Sequence, residues 1–363
     1  MDIASYLAQS RAQLGRQTKE IRDFSVFDFH DVPEQPVLRK EAKALVDEML
    51  RFELSGIPNH QAIVGSRGSG KTLTVKYLQR IMREHTELEV VYANCRHHNT
   101  SFKVLAHLVG VQARGMSMTE VFDRFCTRFQ KKTVVLLDEI DLMSAKDRRR
   151  EILYLLSRSE QPYMVILLSN RPHILNELDA ATKSSLQPWP RHFRNYDAQQ
   201  IQEILQDRAR RGLRRWKEGV LAEIAALTVR LTNSDARVAI KTLQYAVTRQ
   251  GENVRDAFDQ ARHDLIGDMI SDLSDSTLLI LWAVVNGGSD LAKATYERYR
   301  VLCRAHRERP FSYMHFCSNL SYLQSAGLVA LVSTKLRRAY TNRVIPTFDP
   351  GVAHEICHQR FEK

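Results

Sequence analysis

The chain lacks a Cys-x-x-Cys pair, and its five cysteines (Cys95, Cys126, Cys303, Cys317 and Cys357) are odd in number and scattered through apolar stretches. That usage excludes a zinc ribbon and a disulfide framework, and it fits a reducing compartment. No uncharged stretch approaches the roughly 18 residues that a membrane-spanning helix needs. The opening Met1-Asp2-Ile3-Ala4 has neither the basic start nor the apolar run of a signal peptide. A soluble, intracellular protein with no membrane partner is expected. Internal repeats and low-complexity tracts are missing too, which excludes solenoids and long disordered linkers.

What remains is a chain of 363 residues, too long for one ordinary domain, with 44% hydrophobic and 26% charged residues, enough to build packed cores. Fifty-three Lys and Arg against 42 Asp and Glu leave a net charge of +11. That surplus favours a polyanionic partner, either nucleic acid or an acidic membrane face.

Residues 1–28 read as a polar, basic helix and linker. A helical pattern near 39–54 (Ala42, Leu45, Val46, Met49, Leu50) stops at Gly56-Ile57-Pro58. Apolar runs then alternate with helical patterns. Gln61–Val64, Val90–Ala93, Thr133–Leu137 and Met164–Leu168 read as strands, 71–83 as a helix, and Ser117-Met118-Thr119-Glu120 as a capping-box start. Strands apolar on both faces and separated by helices mean a buried parallel sheet, so 29–195 is α/β. From 196 to 272 the pattern is all helical, and a third unit fills 273–363.

Gly65-Ser66-Arg67-Gly68-Ser69-Gly70-Lys71-Thr72 follows a strand and opens a helix, the setting in which G-x-x-x-x-G-K-[ST] binds phosphate. Its glycines let backbone N–H groups close around phosphate, at the favourable end of the helix dipole. ATP or ADP is the expected ligand, with Lys71 on the β/γ-phosphates and the Thr72 hydroxyl on Mg²⁺. The strand ending at Leu137 is followed by Asp138, the expected Mg²⁺ partner, and Glu139, placed to polarise the attacking water. Asn170, ending the next strand, suits a polar sensor that orients water. These features resemble the AAA+ ATPases. The resemblance implies that Asp235-Ala236-Arg237 is a second sensor, with Arg237 reaching the γ-phosphate from a helical lid.

Two helical patterns flank Gly287-Gly288-Ser289, and a third helix runs from about Ser312 to Ala326. In that third helix Phe316, Leu320 and Leu323 form an apolar stripe, while His315, Ser318, Asn319 and Tyr322 form a polar, uncharged one suited to base edges. A β-hairpin follows, carrying Lys335, Arg337, Arg338 and Arg343. Between 304 and 343 seven Lys and Arg face a single acid, Glu308. Three helices and a basic hairpin make a winged helix-turn-helix, with duplex DNA favoured over a protein-only role.

Taken together, residues 30 to 350 resemble the archaeal origin-recognition and cell-division-control initiators of the AAA+ class. The resemblance also rests on Val91-Tyr92-Ala93-Asn94-Cys95, on Leu178-Asp179 followed by Lys183-Ser184-Ser185-Leu186, and on Tyr196-Asp197. It implies an origin-binding, nucleoid-associated cytoplasmic protein that recruits or loads the replicative helicase and works beside other initiator subunits. It also implies an insertion at about 96–118, with His97, His98, Lys103 and Arg114 near phosphates. The family usually has an arginine where this chain has Ala181, and eukaryotic relatives have another where it has Ser185. Slow, switch-like hydrolysis is therefore expected, with Arg191 and Arg194, close by in sequence, as the candidates for a substitute finger. An ATP-gated winged-helix transcriptional regulator is the alternative. A clamp-loader motor fits less well, because those loaders end in a helical collar.

Overall fold

The computed structural model describes residues 2–362 except 113, 145–146, 148, 250–252 and 337–338. In chain order its helices and strands begin with α1 (Ile3–Gln17), α2 (Lys40–Ser55), β1 (Gln61–Val64), α3 (Lys71–His85), β2 (Glu89–Asn94), α4 (Ser101–Val109), α5 (Met118–Arg128) and β3 (Thr133–Asp138). Then come α6 (Glu151–Arg158), β4 (Tyr163–Ser169), α7 (Ala180–Leu186) and β5 (Trp189–His192). The remainder is α8 (Ala198–Gly212), α9 (Glu218–Leu231), α10 (Ala236–Thr248), α11 (Val254–Ser271), α12 (Asp275–Val285), α13 (Ala292–Ala305), α14 (Tyr313–Ser325), β6 (Val329–Leu336), β7 (Ala339–Pro346) and α15 (Pro350–Phe361). Backbone contacts divide the chain into two units, Val32–Arg194 on one side and Met1–Asp31 with Asn195–Lys363 on the other.

The first unit is a parallel sheet in the order β2-β3-β4-β1-β5. Successive strand residues point to opposite faces, so continuous apolar runs feed two cores. Ala62, Val64, Val135, Leu137, Val165 and Leu167 pack with Leu105 of α4 and Phe125 of α5. Ile63, Val134, Leu136, Met164, Ile166 and Leu168 pack on the other side with Leu45, Met49 and Phe52 of α2 and with Val75 and Leu78 of α3. The capping box expected at Ser117 and Glu120 starts α5 with both of its hydrogen bonds formed. β5, which the pattern does not announce, lies at the sheet edge, where Pro190 forfeits no ladder bond in the interior.

The second unit is helical, with one β-hairpin before its last helix. Residues 21–27, read from sequence as the end of a helix and linker, are instead built into its core: Ile21, Val26 and Phe27 pack with Ile201, Leu205, Leu221, Ile224 and Leu243. The buried Arg208 guanidinium donates to the carbonyls of Val26 and Asp28, the latter at 2.9 Å. Gly212 is required there, since a Cβ would meet Val26 Cγ2 at 2.2 Å. Further along, α12, α13 and α14 share one core (Leu278, Leu281, Trp282, Tyr299, Phe316, Leu320, Leu323) with Val329 and Val344 of the antiparallel β6–β7 hairpin. This is the expected C-terminal winged helix-turn-helix. Val352, Ala353 and Cys357 of α15 close the same core, a helix the sequence reading leaves out.

Candidate functional site

The turn after β1 is shaped by contacts that only glycine tolerates. A Cβ on Gly65 would meet the Phe193 carbonyl oxygen at 2.7 Å, and Gly68 and Gly70 hold φ of 72° and 83°, in the left-handed region. Gly70 is the N-cap of α3, so the N–H groups of the first helical turn and the positive end of the dipole face this turn. The Ser69 hydroxyl donates to the Ser66 carbonyl at 2.8 Å, and Arg67, in the same turn, is half-buried. Arg39, which nothing in the sequence marks, clamps the turn from behind. It is 4% exposed, donates to the Ser69 carbonyl at 2.6 Å and to the Arg194 carbonyl, and lies over the Phe193 ring.

Lys71 is buried, and its ammonium donates to the carbonyls of Gly65 and Ser66, each at 2.8 Å, and to Asn170 Oδ1 at 2.9 Å. The chain segments that follow β1 and β4, distant in sequence, thus meet at one cation. The Thr72 hydroxyl donates to Asp138 Oδ2 at 2.7 Å, and the Tyr92 hydroxyl donates to the same oxygen at 2.9 Å. Burial and the Asp138 carboxylate hold the Tyr92 phenol well above its usual range. Asp138 Oδ1 accepts from the Glu139 N–H at 2.9 Å, with Glu139 itself at a left-handed φ of 52°. Asn94 donates to Glu139 Oε2 at 3.1 Å. Burial raises the Glu139 pKa, and that hydrogen bond opposes the rise.

Behind Asn170, the Ser169 hydroxyl and the Asn170 N–H both donate to Asp141 Oδ1, at 2.7 and 3.3 Å. Asp141 therefore fixes the strand end that carries the sensor amide. Tyr92, Asn94 and Asp141 have no site role in the sequence reading. Parallel pairing of Asn94 with Asp138 is the signal that joins two of them to the site. The donor set fits a nucleotide with its metal: a buried ammonium and a helix N-terminus suit phosphate, and a hydroxyl beside a carboxylate suits hard Mg²⁺.

At the two positions without an arginine, Ala181 is exposed on α7, and Ser185 shares a hydrogen bond of 2.7 Å with the Ser157 hydroxyl. Arg191 is occupied within the sheet, its Nε and Nη2 donating to Gln61 Oε1 at 3.1 and 3.0 Å. In the helical unit, Arg237 starts α10 and is gripped by Asp235, at 2.9 and 2.5 Å.

The winged helix corrects part of the expected DNA-facing set. Asn319 and Tyr322 are only 6% and 7% exposed. Asn319 Oδ1 accepts from the Thr277 hydroxyl at 3.2 Å and its amide donates to the His315 carbonyl at 2.9 Å, while Tyr322 joins the core. Both lie on the buried arc with Phe316 and Leu323, because a hydrogen-bonded polar residue shares a packed face without penalty. His315 and Ser318 are exposed, as are Met314, Lys335 on β6 and Arg114 in its turn. Arg343 is half-exposed and tied to Asp290, at 2.6 Å from Nε. Arg337 and Arg338 lie outside the described residues.

With this geometry in hand, the family model for ATPases associated with various cellular activities (AAA) matches residues 62–186, the stretch from the P-loop strand to α7. An ORC1-type DNA replication protein of Methanothermobacter thermautotrophicus is 29% identical over 287 residues, covering 74% of this chain and 76% of that one. ORC1-type DNA replication protein 1 of Sulfolobus acidocaldarius is 30% identical over 311 residues, 77% of each chain. The chain belongs to the archaeal ORC1/Cdc6 family of AAA+ replication initiators. The fold agrees. The Aeropyrum pernix ORC1 protein, solved in complex with DNA, superposes on 95% of this ORC1-type chain with a TM-score of 0.67, 22% identity and 98% of its own length covered. Cdc6p of Pyrobaculum aerophilum covers 94% of this chain at a TM-score of 0.57, with 20% identity over its full length. This ORC1/Cdc6 chain is thus a nucleotide-binding AAA+ ATPase of the replication-initiator class. Among the described residues, no helix is long and apolar enough to cross a membrane.

Proposed function

We propose that the chain is an ATP-controlled origin-binding protein. In this reading it engages duplex DNA through its winged helix, helps recruit or load the replicative helicase, and hydrolyses ATP slowly as a switch. The observation that carries the switch is the preassembled set of Lys71, Thr72, Asp138, Glu139 and Asn170, together with a helix α7 whose sequence contains no arginine. Thr72 and Asp138 would hold Mg²⁺, which when bound neutralises phosphate charge. Lys71 orients the β/γ-phosphates. Glu139 accepts a proton from the attacking water once it is ionised and released from Asn94. Asn170, fixed by Asp141, positions that water, and Arg237 reads the γ-phosphate from the lid. A finger arginine supplied by a neighbouring subunit is worth about 10³–10⁵ in rate, so its absence predicts slow turnover.

For DNA, the support is a winged helix whose exposed His315 and Ser318 lie on α14 and whose strand β6 carries the exposed Lys335, with Arg337 and Arg338 following it in sequence. The chain's +11 charge fits that partner in the nucleoid of the cytoplasm. The test is single-turnover hydrolysis of prebound ATP over a range of protein concentrations. A flat, slow rate per site supports the switch. A steep concentration dependence abolished by Arg191→Ala or Arg194→Ala would show a finger and end that reading.

A further inference from the structure

Away from the winged helix, the helical unit carries a cleft of about 560 Å³ lined by Lys19, Glu20, Arg22, Arg214 and Arg215. Four cations face one carboxylate. Among the described residues, none of the four is within ion-pair distance of an acid. Their neighbours differ. Arg211 is neutralised by Asp31 at 2.7 Å and Asp207 at 2.9 Å, and Arg208 is spent on backbone carbonyls. The fold therefore satisfies the arginines it needs for packing and leaves this set uncompensated.

The cleft is built rather than incidental. Two segments remote in sequence cross there: Ile21 bridges Leu213, the Arg22 N–H donates to the Gly212 carbonyl at 2.7 Å, and the Arg214 N–H donates to the Glu20 carbonyl at 2.8 Å. The Arg22 guanidinium is fixed on the Arg210 carbonyl at 2.6 Å. The crossing depends on Gly212, whose missing side chain lets Val26 approach. Like charges that line one cleft repel one another, a cost that an anionic ligand relieves.

We infer that this cleft is a second contact for the phosphate backbone of duplex DNA, separate from the winged helix. The inference rests on the reading of the chain as a DNA-binding initiator. Three of the four cations are arginines, whose planar forks match phosphate oxygens in pairs. The cleft is open and far larger than one phosphate, and the exposed run continues through Trp216 and Lys217. A chain of phosphates fits that better than a single small anion.

The experiment is binding of a labelled duplex, followed by anisotropy across salt concentrations, for wild type and for a Lys19→Ala, Arg214→Ala, Arg215→Ala variant. These side chains are exposed and the bridging bonds are backbone, so the fold and ATP hydrolysis should be unchanged. Each phosphate contact contributes about 0.9 to the slope of log K against log salt. The variant should therefore have a slope shallower by about 2–3 and bind about 10- to 100-fold more weakly at moderate salt. An Arg214→Lys, Arg215→Lys variant should keep most of the wild-type slope. Equal affinity and slope in wild type and the alanine variant would overturn the cleft while leaving the winged-helix reading intact. Failure of wild type to bind any duplex would remove both. Polyglutamate that binds wild type as tightly as duplex, and is lost in the alanine variant, would assign the cleft to an acidic protein instead.

Discussion

His60 ties the sheet together at the start of β1, and its protonation should weaken the whole nucleotide-binding unit. It is 6% exposed, its Nδ1 accepts a hydrogen bond from the Val165 N–H in β4 at 3.0 Å, and its carbonyl accepts from the Trp189 N–H in β5 at 2.8 Å. A ring nitrogen that accepts is unprotonated, and burial lowers the ring's pKa to about 4 from its ordinary 6.5. The folded state therefore binds fewer protons than the unfolded chain between those values. The stabilisation is complete above pH 6.5, declines as pH falls toward 4, and is gone below. With ~1.4 kcal/mol for each pH unit of separation, the contribution at neutral pH is about 3 kcal/mol. His60→Gln keeps an acceptor for Val165 but cannot titrate. Urea unfolding should be followed at Trp189, in a Trp216→Phe, Trp282→Phe background, from pH 7 to pH 4. The stability gap between wild type and His60→Gln should shift by about 3 kcal/mol in the variant's favour over that range. Parallel pH profiles for the two proteins would refute the argument.

Other consequences are more local. Lys71→Ala should abolish ATP binding in a folded protein, and Glu139→Gln should trap bound ATP; isothermal titration and filter retention check the two. Since burial raises the Glu139 pKa, its base form is lost as pH falls, and the acid limb of single-turnover hydrolysis should lie above the 4.5 of an ordinary glutamate. Asn94→Ala removes the opposing hydrogen bond and should move that limb further up. In the winged helix, Asn319→Ala breaks the buried bond to Thr277 and should cost about 1–3 kcal/mol of stability. Ser318→Ala should leave melting unchanged and instead reduce discrimination between duplex sequences in competition binding.

The nucleotide site was legible because its chemistry is contiguous: Gly65 to Thr72 must follow a strand and open a helix, and both flanking patterns are strong. The winged helix was legible as an order of elements, but its DNA-facing side was only half so. Periodicity places Asn319 and Tyr322 on a stripe without saying whether that stripe is wet. The partner that buries Asn319 is Thr277, 42 residues away. Arg39 was invisible for the same reason, since it acts on carbonyls 30 and 155 residues away. Trp189–His192 escaped notice because a short edge strand containing proline has neither apolar length nor alternation.

The most direct test of an ATP-controlled origin binder is a footprint of the full chain on fragments of its own genome, with ATP present, beside the Lys71→Ala variant. The account predicts protection confined to a few fragments that contain sites where replication starts, and its weakening or loss in the variant. Protection spread over promoters, or a footprint identical in the variant, would contradict it.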